Sequence, residues 1–309
     1  MTETFRLTVP DRTHWTFVVA AERCPDDLPA AIFEHVSAPF APHATRRLGG
    51  PELAVSHHPA SRSPWNLNGV TSLDVEDERD GDLAYLRSAE WNIGVSAVLP
   101  ARDRPFGARV ARAVAHALRE ATDGIVADHD LRIVLPVAQP DDGGRYVLAA
   151  DWITVNTTGK VAAPCPASDD GIDACACLEL STSGMERLGL PELRMSGVAC
   201  AHDLAATNVL RSLSRRLLPL GISHGTRVLP CESLVTGADF AEYWGTDEPM
   251  WNEEPVAVRL SPISNQLLEV RPPEGYPGSV NEWLWDELPP ILHELLGCEP
   301  DPTPGFHPS

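Results

Sequence analysis

The chain has 309 residues, of which 43% are hydrophobic and 22% charged, and these values predict an ordinary globular protein of one large or two smaller domains. A net charge of −20 argues against nucleic acid and anionic membranes as partners, because a negative surface repels phosphate groups. Seven cysteines, an odd number, favour thiols in a reducing compartment, and we find neither a signal peptide nor an apolar run of ~18 residues, so we expect a soluble cytoplasmic protein.

Residues 1–140 predict an N-terminal α+β unit. It begins with a strand at 14–21 and a helix from Asp26 and Asp27 to 36, followed by a loop rich in Pro, His and Ser at 39–64. Strands are predicted within 69–75 and 83–99, on either side of an acidic turn at 76–82. The clearest helix follows Asp103 and Pro105, and its apolar face is formed by Phe106, Val110, Ala113, Val114, Ala117, Leu118 and Ala121. The opposite face carries Arg109, Arg112, His116 and Arg119, and we therefore expect His116 to be solvated.

Residues 141–231 predict a second, similar α+β unit. Strands at 174–180 and 192–200 lead to a helix that begins at Asp203 and ends at Pro219. A C-terminal extension at 232–298 holds an acidic segment, two short strands at 256–260 and 266–270, and a helix that starts with the capping box of Ser279 and Glu282 and is interrupted by Pro289 and Pro290. Residues 299–309 form a tail that we expect to be flexible. The units are also compatible with one compact domain.

The segment Ser181-Thr-Ser-Gly-Met-Glu-Arg-Leu-Gly-Leu-Pro-Glu-Leu193 is the most distinctive stretch of the chain. Ser183 and Glu186 have the spacing of a capping box, and Gly189 followed by Pro191 predicts a one-turn helix that cannot resume. The phrase Thr-x-Gly-Met followed by Gly-Leu-Pro-Glu-Leu resembles a bacterial family of uncharacterised proteins, in which it precedes a strand and a long helix. The resemblance covers residues 152–218 and implies a fold but no activity.

The two units end alike. Gly124-Ile125 leads to His129-x-x-Arg132 and Leu135-Pro136, while Gly221-Ile222 leads to His224-x-x-Arg227 and Leu229-Pro230. This echo suggests an internal duplication of a strand–helix–strand unit, although alternating elements punctuated by Gly and Pro also produce such echoes by chance. The fold class predicted is α+β, with mixed or antiparallel sheets and long helices on one face.

Two sets of side chains suit chemistry on a small molecule. His57 and His58, near Glu90, Trp65 and Trp91, offer general acid–base groups beside an aromatic wall, but adjacent histidines point in opposite directions, so at most one would act. The paired His129 with Arg132 and His224 with Arg227 would bind an anion if they converged at a pseudo-two-fold axis. Ordinary surface roles are the favoured interpretation of both sets.

Cys165, Cys175 and Cys177 are candidate zinc ligands, alone or together with a histidine. Their spacing is poor for a zinc knuckle, because Cys175 and Cys177 would share one face of a strand, and buried small thiols are the favoured interpretation. We expect no cofactor.

Familiar enzyme signatures are absent from the sequence, including G-x-S-x-G, the P-loop, H-E-x-x-H and the dinucleotide fingerprint. The favoured hypothesis is therefore a non-catalytic protein-binding protein of the immunity or regulatory type, whose acidic surface meets a basic protein partner. The alternative is a small-molecule enzyme of specialised metabolism that uses Glu and His as general acid and base. We expect a monomer or a homodimer.

Overall fold

The computed structural model describes residues 3–71, 80–136, 143–159, 175–252 and 254–294. Within them the chain has an α+β fold, as the sequence predicts. The strands are β1 (Thr4–Val9), β2 (Arg12–Ala21), β3 (Leu53–Pro59), β4 (Trp91–Pro100), β5 (Ile125–Asp128), β6 (Ile133–Val134), β7 (Thr154–Gly159), β8 (Leu178–Ser183), β9 (Glu192–Val198), β10 (Gly225–Pro230), β11 (Glu232–Val235), β12 (Val256–Ser264) and β13 (Leu267–Arg271). The helices are α1 (Leu28–His35), α2 (Ala41–Arg47), α3 (Asp80–Ser88), α4 (Arg104–Thr122), α5 (Asp203–Leu217), α6 (Gly237–Trp244) and α7 (Val280–Asp286).

The first sheet is antiparallel throughout and has the strand order β3-β4-β2-β5-β6. Trp15, Phe17 and Val19 of β2 point into the main hydrophobic core beneath α4. Val18 and Ala20 point to the opposite face, where α3 covers them in a smaller apolar cluster. Because both faces are covered, β2 is a continuous apolar run rather than an alternating one.

The second sheet has the order β11-β12-β13-β9-β8-β7, in which only the pair β13–β9 is parallel. Helix α5 packs on this sheet and against α6, while α7 contacts β9. A separate antiparallel ribbon joins β1 to β10. No helix among the described residues is long and apolar enough to cross a bilayer.

One hydrophobic core extends through both predicted units, from Phe5 to Leu292. Two buried arginines join the units through hydrogen bonds. Arg104 on α4 donates to the carbonyl oxygens of Leu188 and Gly221, and burial lowers its pKa. Arg187 donates to both carboxylate oxygens of Asp128, at 2.8 and 2.6 Å. In each unit a strand, a 3-10 turn and a long helix follow one another, at β4–α4 and at β9–α5, but the duplication stays a hypothesis.

The loop predicted at 39–64 is wrong because long-range pairing overrides the local pattern, and helices α3 and α6 lie in segments for which the sequence predicts no helix. The proposed loop at 39–64 contains α2 and β3, and β3 forms only because it pairs with β4. The strand predicted within 83–99 is β4, and helix α3, which includes part of the supposed acidic turn, precedes it. The acidic segment after residue 240 lies partly in α6, which is capped by Thr236 and Asp239.

The polar face of α4 is covered, so His116 is half-buried and not solvated as predicted. Arg109 is buried and donates to the carbonyl oxygen of Gly144 at 2.7 Å. Arg112 donates to the carbonyl oxygens of Ala150 and Asp151, and its guanidinium lies 3.7 Å from the centre of the Trp152 ring. Residues 144–152 therefore cover this face, and their backbone oxygens take the place of water for the guanidinium groups.

The turn between β8 and β9 is closed differently from the predicted capping box. Gly189 does adopt the left-handed conformation, with φ of 79°, and ends the turn. Its cap, however, is the carboxylate of Glu192, which accepts from the backbone N–H groups of Gly184 and Glu186 and from the Thr182 hydroxyl. The later capping box of Ser279 and Glu282 on α7 is confirmed.

Candidate functional site

The histidines proposed for acid–base chemistry lie on strand β3 and not in a loop. They point to opposite faces of the sheet, and each contacts its own tryptophan. The His57 ring lies 5.8 Å from that of Trp91, and the His58 ring lies 5.4 Å from that of Trp65. Glu90 is exposed just before β4. The structure therefore divides these residues into two aromatic pairs and does not gather them around one cavity.

The two His-x-x-Arg segments have different local structures. His129 and Arg132 lie in the turn between β5 and β6, and Arg132 has a positive φ of 58°. His224 precedes β10, on which Arg227 lies. The Nδ1 atom of His129 lies 3.8 Å from Oδ1 of Asp130, and Nδ1 of His224 lies 3.8 Å from Oδ1 of Asp11. Each imidazole therefore faces its own carboxylate. That arrangement suits surface ion pairs better than a shared anion site.

A cleft of about 660 Å³ lies between the two units, beside the turn of residues 184–191. Its wall includes exposed His14 and the side chains of Arg187 and Glu192. Burial raises the pKa of Glu192, and hydrogen bonds from the Thr182 hydroxyl and from the backbone of Gly184, Met185 and Glu186 oppose that shift. Arg187 is engaged by Asp128. Arg187 and Glu192 are thus held by contacts of the fold, whereas His14 lines the cleft as an exposed imidazole.

The most distinctive exposed surface lies on and beside α7. We define the α7 surface as Tyr276, Glu282, Trp285, Asp286 and Glu287. Trp285 is 57% exposed, although its neighbours Trp283 and Leu284 are fully buried. Its ring rests on two histidines, with centroids 6.1 Å from those of His202 and His293. A large aromatic ring is thus held in place while most of its surface stays in water.

Two carboxylates follow this tryptophan directly in the sequence. Asp286 and Glu287 are exposed, and among the described residues neither forms an ion pair. Burial raises the pKa of Tyr276, and the nearby carboxylates of Asp286, Glu287 and Glu282 raise it further. Residues 232–294 contain thirteen Asp and Glu residues and two Arg, which gives a net charge of −11. This segment therefore carries more than half of the net charge of −20 of the whole chain. The α7 surface therefore combines an apolar anchor with a negative rim.

Three cysteines meet at the end of the β8–β9 pair. The Sγ atoms of Cys175 and Cys177 are 3.1 Å apart, those of Cys177 and Cys200 3.4 Å, and those of Cys175 and Cys200 3.6 Å. Cys200 is exposed and the other two are half-buried. Cys165 lies outside the described residues, as does the tail at 299–309.

Sequence reasoning missed Trp285 and Cys200, yet signals for both exist. Residues two apart on a helix lie on different faces, so the burial of Trp283 leaves Trp285 outside. Extending the two predicted strands as an antiparallel pair would have placed Cys200 opposite the residues that precede β8. Comparison with known proteins gives no match to this chain among family models, curated proteins or solved structures.

Proposed function

We propose that this protein is a non-catalytic binding protein, of the immunity or regulatory type, that engages a basic protein partner through the α7 surface. The observation that carries the proposal is Trp285, a tryptophan 57% exposed in the most acidic part of the chain. Tryptophan is enriched among the residues that dominate binding energy, because it buries a large area with few rotatable bonds. In a monomer without a partner, a tryptophan exposed in this way would have no binding role.

Charge determines the class of partner. Asp286 and Glu287 directly follow Trp285 and form no ion pair among the described residues, so Arg or Lys side chains of a partner would supply a cation. Such a rim accelerates encounter and selects the partner, while the aromatic centre supplies most of the affinity. A guanidinium above the indole would add a cation–π contact.

The enzyme alternative has weaker support. Its proposed residues form two histidine–tryptophan pairs on opposite faces of a sheet, and the restricted carboxylate of the cleft, Glu192, is occupied by hydrogen bonds of the turn. A general base needs a free lone pair within reach of a substrate proton.

The experiment compares wild type with Trp285→Ala in affinity capture from the host lysate, with quantitative mass spectrometry of the retained proteins. Phe33→Ala is the matched control, because Phe33 is an aromatic residue 44% exposed on α1. Wild type and the control should retain one basic protein, which W285A should lose. With that protein purified, W285A should weaken Kd by about 30-fold or more, corresponding to a loss of at least about 2 kcal/mol.

A second variant tests the rim. Asp286→Asn combined with Glu287→Gln should weaken binding at low salt and reduce its salt dependence, because surface charges are screened at about 0.3 M salt. Equal capture by wild type and W285A, or an acidic retained protein, would refute the proposal. Circular dichroism of each variant separates lost binding from lost folding.

A further inference from the structure

We propose that Cys175, Cys177 and Cys200 supply three of the four ligands of a zinc site. The three sulfur atoms lie 3.1, 3.4 and 3.6 Å apart. With Zn–S bonds of about 2.3 Å, an ion in contact with all three would sit about 1.2 Å outside their plane, at the apex of a trigonal pyramid taller than in a regular tetrahedron. The spacing thus leaves one coordination position directed away from the sulfur triangle.

The pairing of two strands creates this cluster. In the antiparallel pair β8–β9, Leu178 lies opposite Val198, so the residues before β8 and those after β9 are neighbours. Gly197 has a φ of +77° at a register shift in this pair, which is the geometry of a bulge that bends the strand end. The bend directs Cys200 towards Cys175 and Cys177. Cys175 and Cys177 lie before β8 and not on a strand, so the objection that they would share one face of a strand does not apply.

The chemistry of three adjacent sulfurs favours a cation. Thiolates are the metal-binding form of cysteine, and three negative sulfurs at these distances would repel one another strongly in a chain that already carries −20. A divalent ion removes that repulsion. On binding, each thiol releases its proton to solvent and forms one S–Zn bond, so three protons leave, and neither the protein nor the metal changes oxidation state.

Thiolate ligands select soft ions, and zinc is the usual occupant of sites with three or four cysteines. The backbone N–H of Cys200 donates to the Cys175 sulfur at 3.3 Å, a contact that stabilises negative charge on the sulfur.

Asn281, in the first turn of α7, holds the backbone around the cluster. Its side-chain oxygen accepts from the Ala199 N–H at 2.8 Å, and its amide nitrogen donates to the carbonyl oxygens of Gly197 at 3.2 Å and Cys175 at 3.5 Å. One buried side chain therefore fixes both segments that carry the cysteines. Orientation of ligand-bearing backbone by outer hydrogen bonds is a common property of protein metal sites.

The test measures zinc in the full chain, expressed with zinc and purified under reducing conditions without chelator. Elemental analysis should give one zinc per chain in wild type and in the control Cys24→Ser, whose thiol is half-buried in another part of the fold. Cys177→Ser should lose the zinc, because its sulfur contacts both of the others.

Zinc binding can also be tested on the wild-type protein alone, so that the result does not depend on whether a variant folds. A mercurial thiol reagent should release the zinc to a chromogenic chelator, and cobalt substitution should produce the intense near-ultraviolet band of sulfur-to-cobalt charge transfer. Bound zinc should also slow alkylation of Cys175, Cys177 and Cys200 relative to the zinc-free protein, as peptide mapping would show.

Four results would overturn the proposal. Two concern the metal: wild-type protein that retains no stoichiometric zinc, and wild type that holds iron or copper at these cysteines instead. The others are peptide maps that show a disulfide between two of the cysteines in the reduced preparation, and zinc that persists in C177S. The site does not rest on the proposed binding function, since none of these readouts involves a partner.

Discussion

His116 on α4 should make the stability of this protein depend on pH. Burial lowers its pKa from 6.5 to about 4, and the positive charges of Arg112 and Arg119 on the same helix contribute to the shift. The folded protein therefore resists protonation of this imidazole, whereas the unfolded chain accepts the proton near pH 6.5. The unfolded state binds more protons between pH 4 and 6.5, so the free energy of unfolding should fall as the pH is lowered through this range.

The size of the effect follows from the two pKa values. With 6.5 in the unfolded state and about 4 in the folded state, the His116 term lowers the free energy of unfolding by about 2 kcal/mol at pH 5 relative to pH 7.5. The loss approaches about 3 kcal/mol below pH 4, where both states are protonated. A domain of ordinary stability, roughly 5–15 kcal/mol, would lose a substantial fraction of it.

His116→Gln removes the titrating ring and keeps a good helix former. Urea unfolding of wild type and H116Q between pH 7.5 and pH 5 measures the difference directly, and H116Q should lose about 2 kcal/mol less than wild type. Other titrating groups cancel in this comparison. His14→Gln is the control, because His14 is exposed on β2, and it should follow wild type. Parallel curves for wild type and H116Q would refute the reasoning.

Three further outcomes are expected. Arg187→Met leaves the Asp128 carboxylate buried without its bidentate partner, so urea unfolding should show a loss of about 3–5 kcal/mol, part of which the added Asp128→Asn change should restore. Gly94→Ala should lower the free energy of unfolding by about 1–3 kcal/mol, because a β-carbon there would overlap the Trp65 ring. In a Trp65→Ala background the same change should leave the stability unchanged or increase it, and thermal melts of the four proteins measure both effects. A strong zinc chelator should lower the Tm of wild type and leave that of Cys177→Ser unchanged; equal shifts would contradict the zinc site.

The parts of the fold that the sequence predicts correctly are those with local signals. Strand β2 and helices α4 and α5 were visible from apolar periodicity, and the start of α7 from its capping box. Strands β1 and β3 are not visible in the sequence, because each is an edge strand whose partner is distant in the chain. Strand β1 pairs with β10, and β3 pairs with β4. No window of neighbouring residues contains that information.

The burial of the α4 arginines could not be predicted for a related reason. A helix with Arg109, Arg112 and His116 on one stripe has the pattern of a solvated face. The structure covers this stripe with residues 144–152, whose carbonyl oxygens satisfy the guanidinium groups. Amphipathic pattern alone does not distinguish water from backbone oxygen as the hydrogen-bond acceptor of an arginine.

The candidate surfaces were hidden for different physical reasons. The hypothesis of a basic partner came from total charge, which does not locate a contact, and Trp285 became visible only once the burial of Trp283 and Leu284 had fixed the rotation of α7. Cys200 became visible only through the β8–β9 register. Helix α7 connects the two findings, since Asn281 in its first turn holds the backbone of the cysteines while Trp285, one turn later, is presented to solvent. The backbone that carries the thiol cluster is therefore hydrogen-bonded to the first turn of the same short helix whose last turn presents Trp285 to solvent.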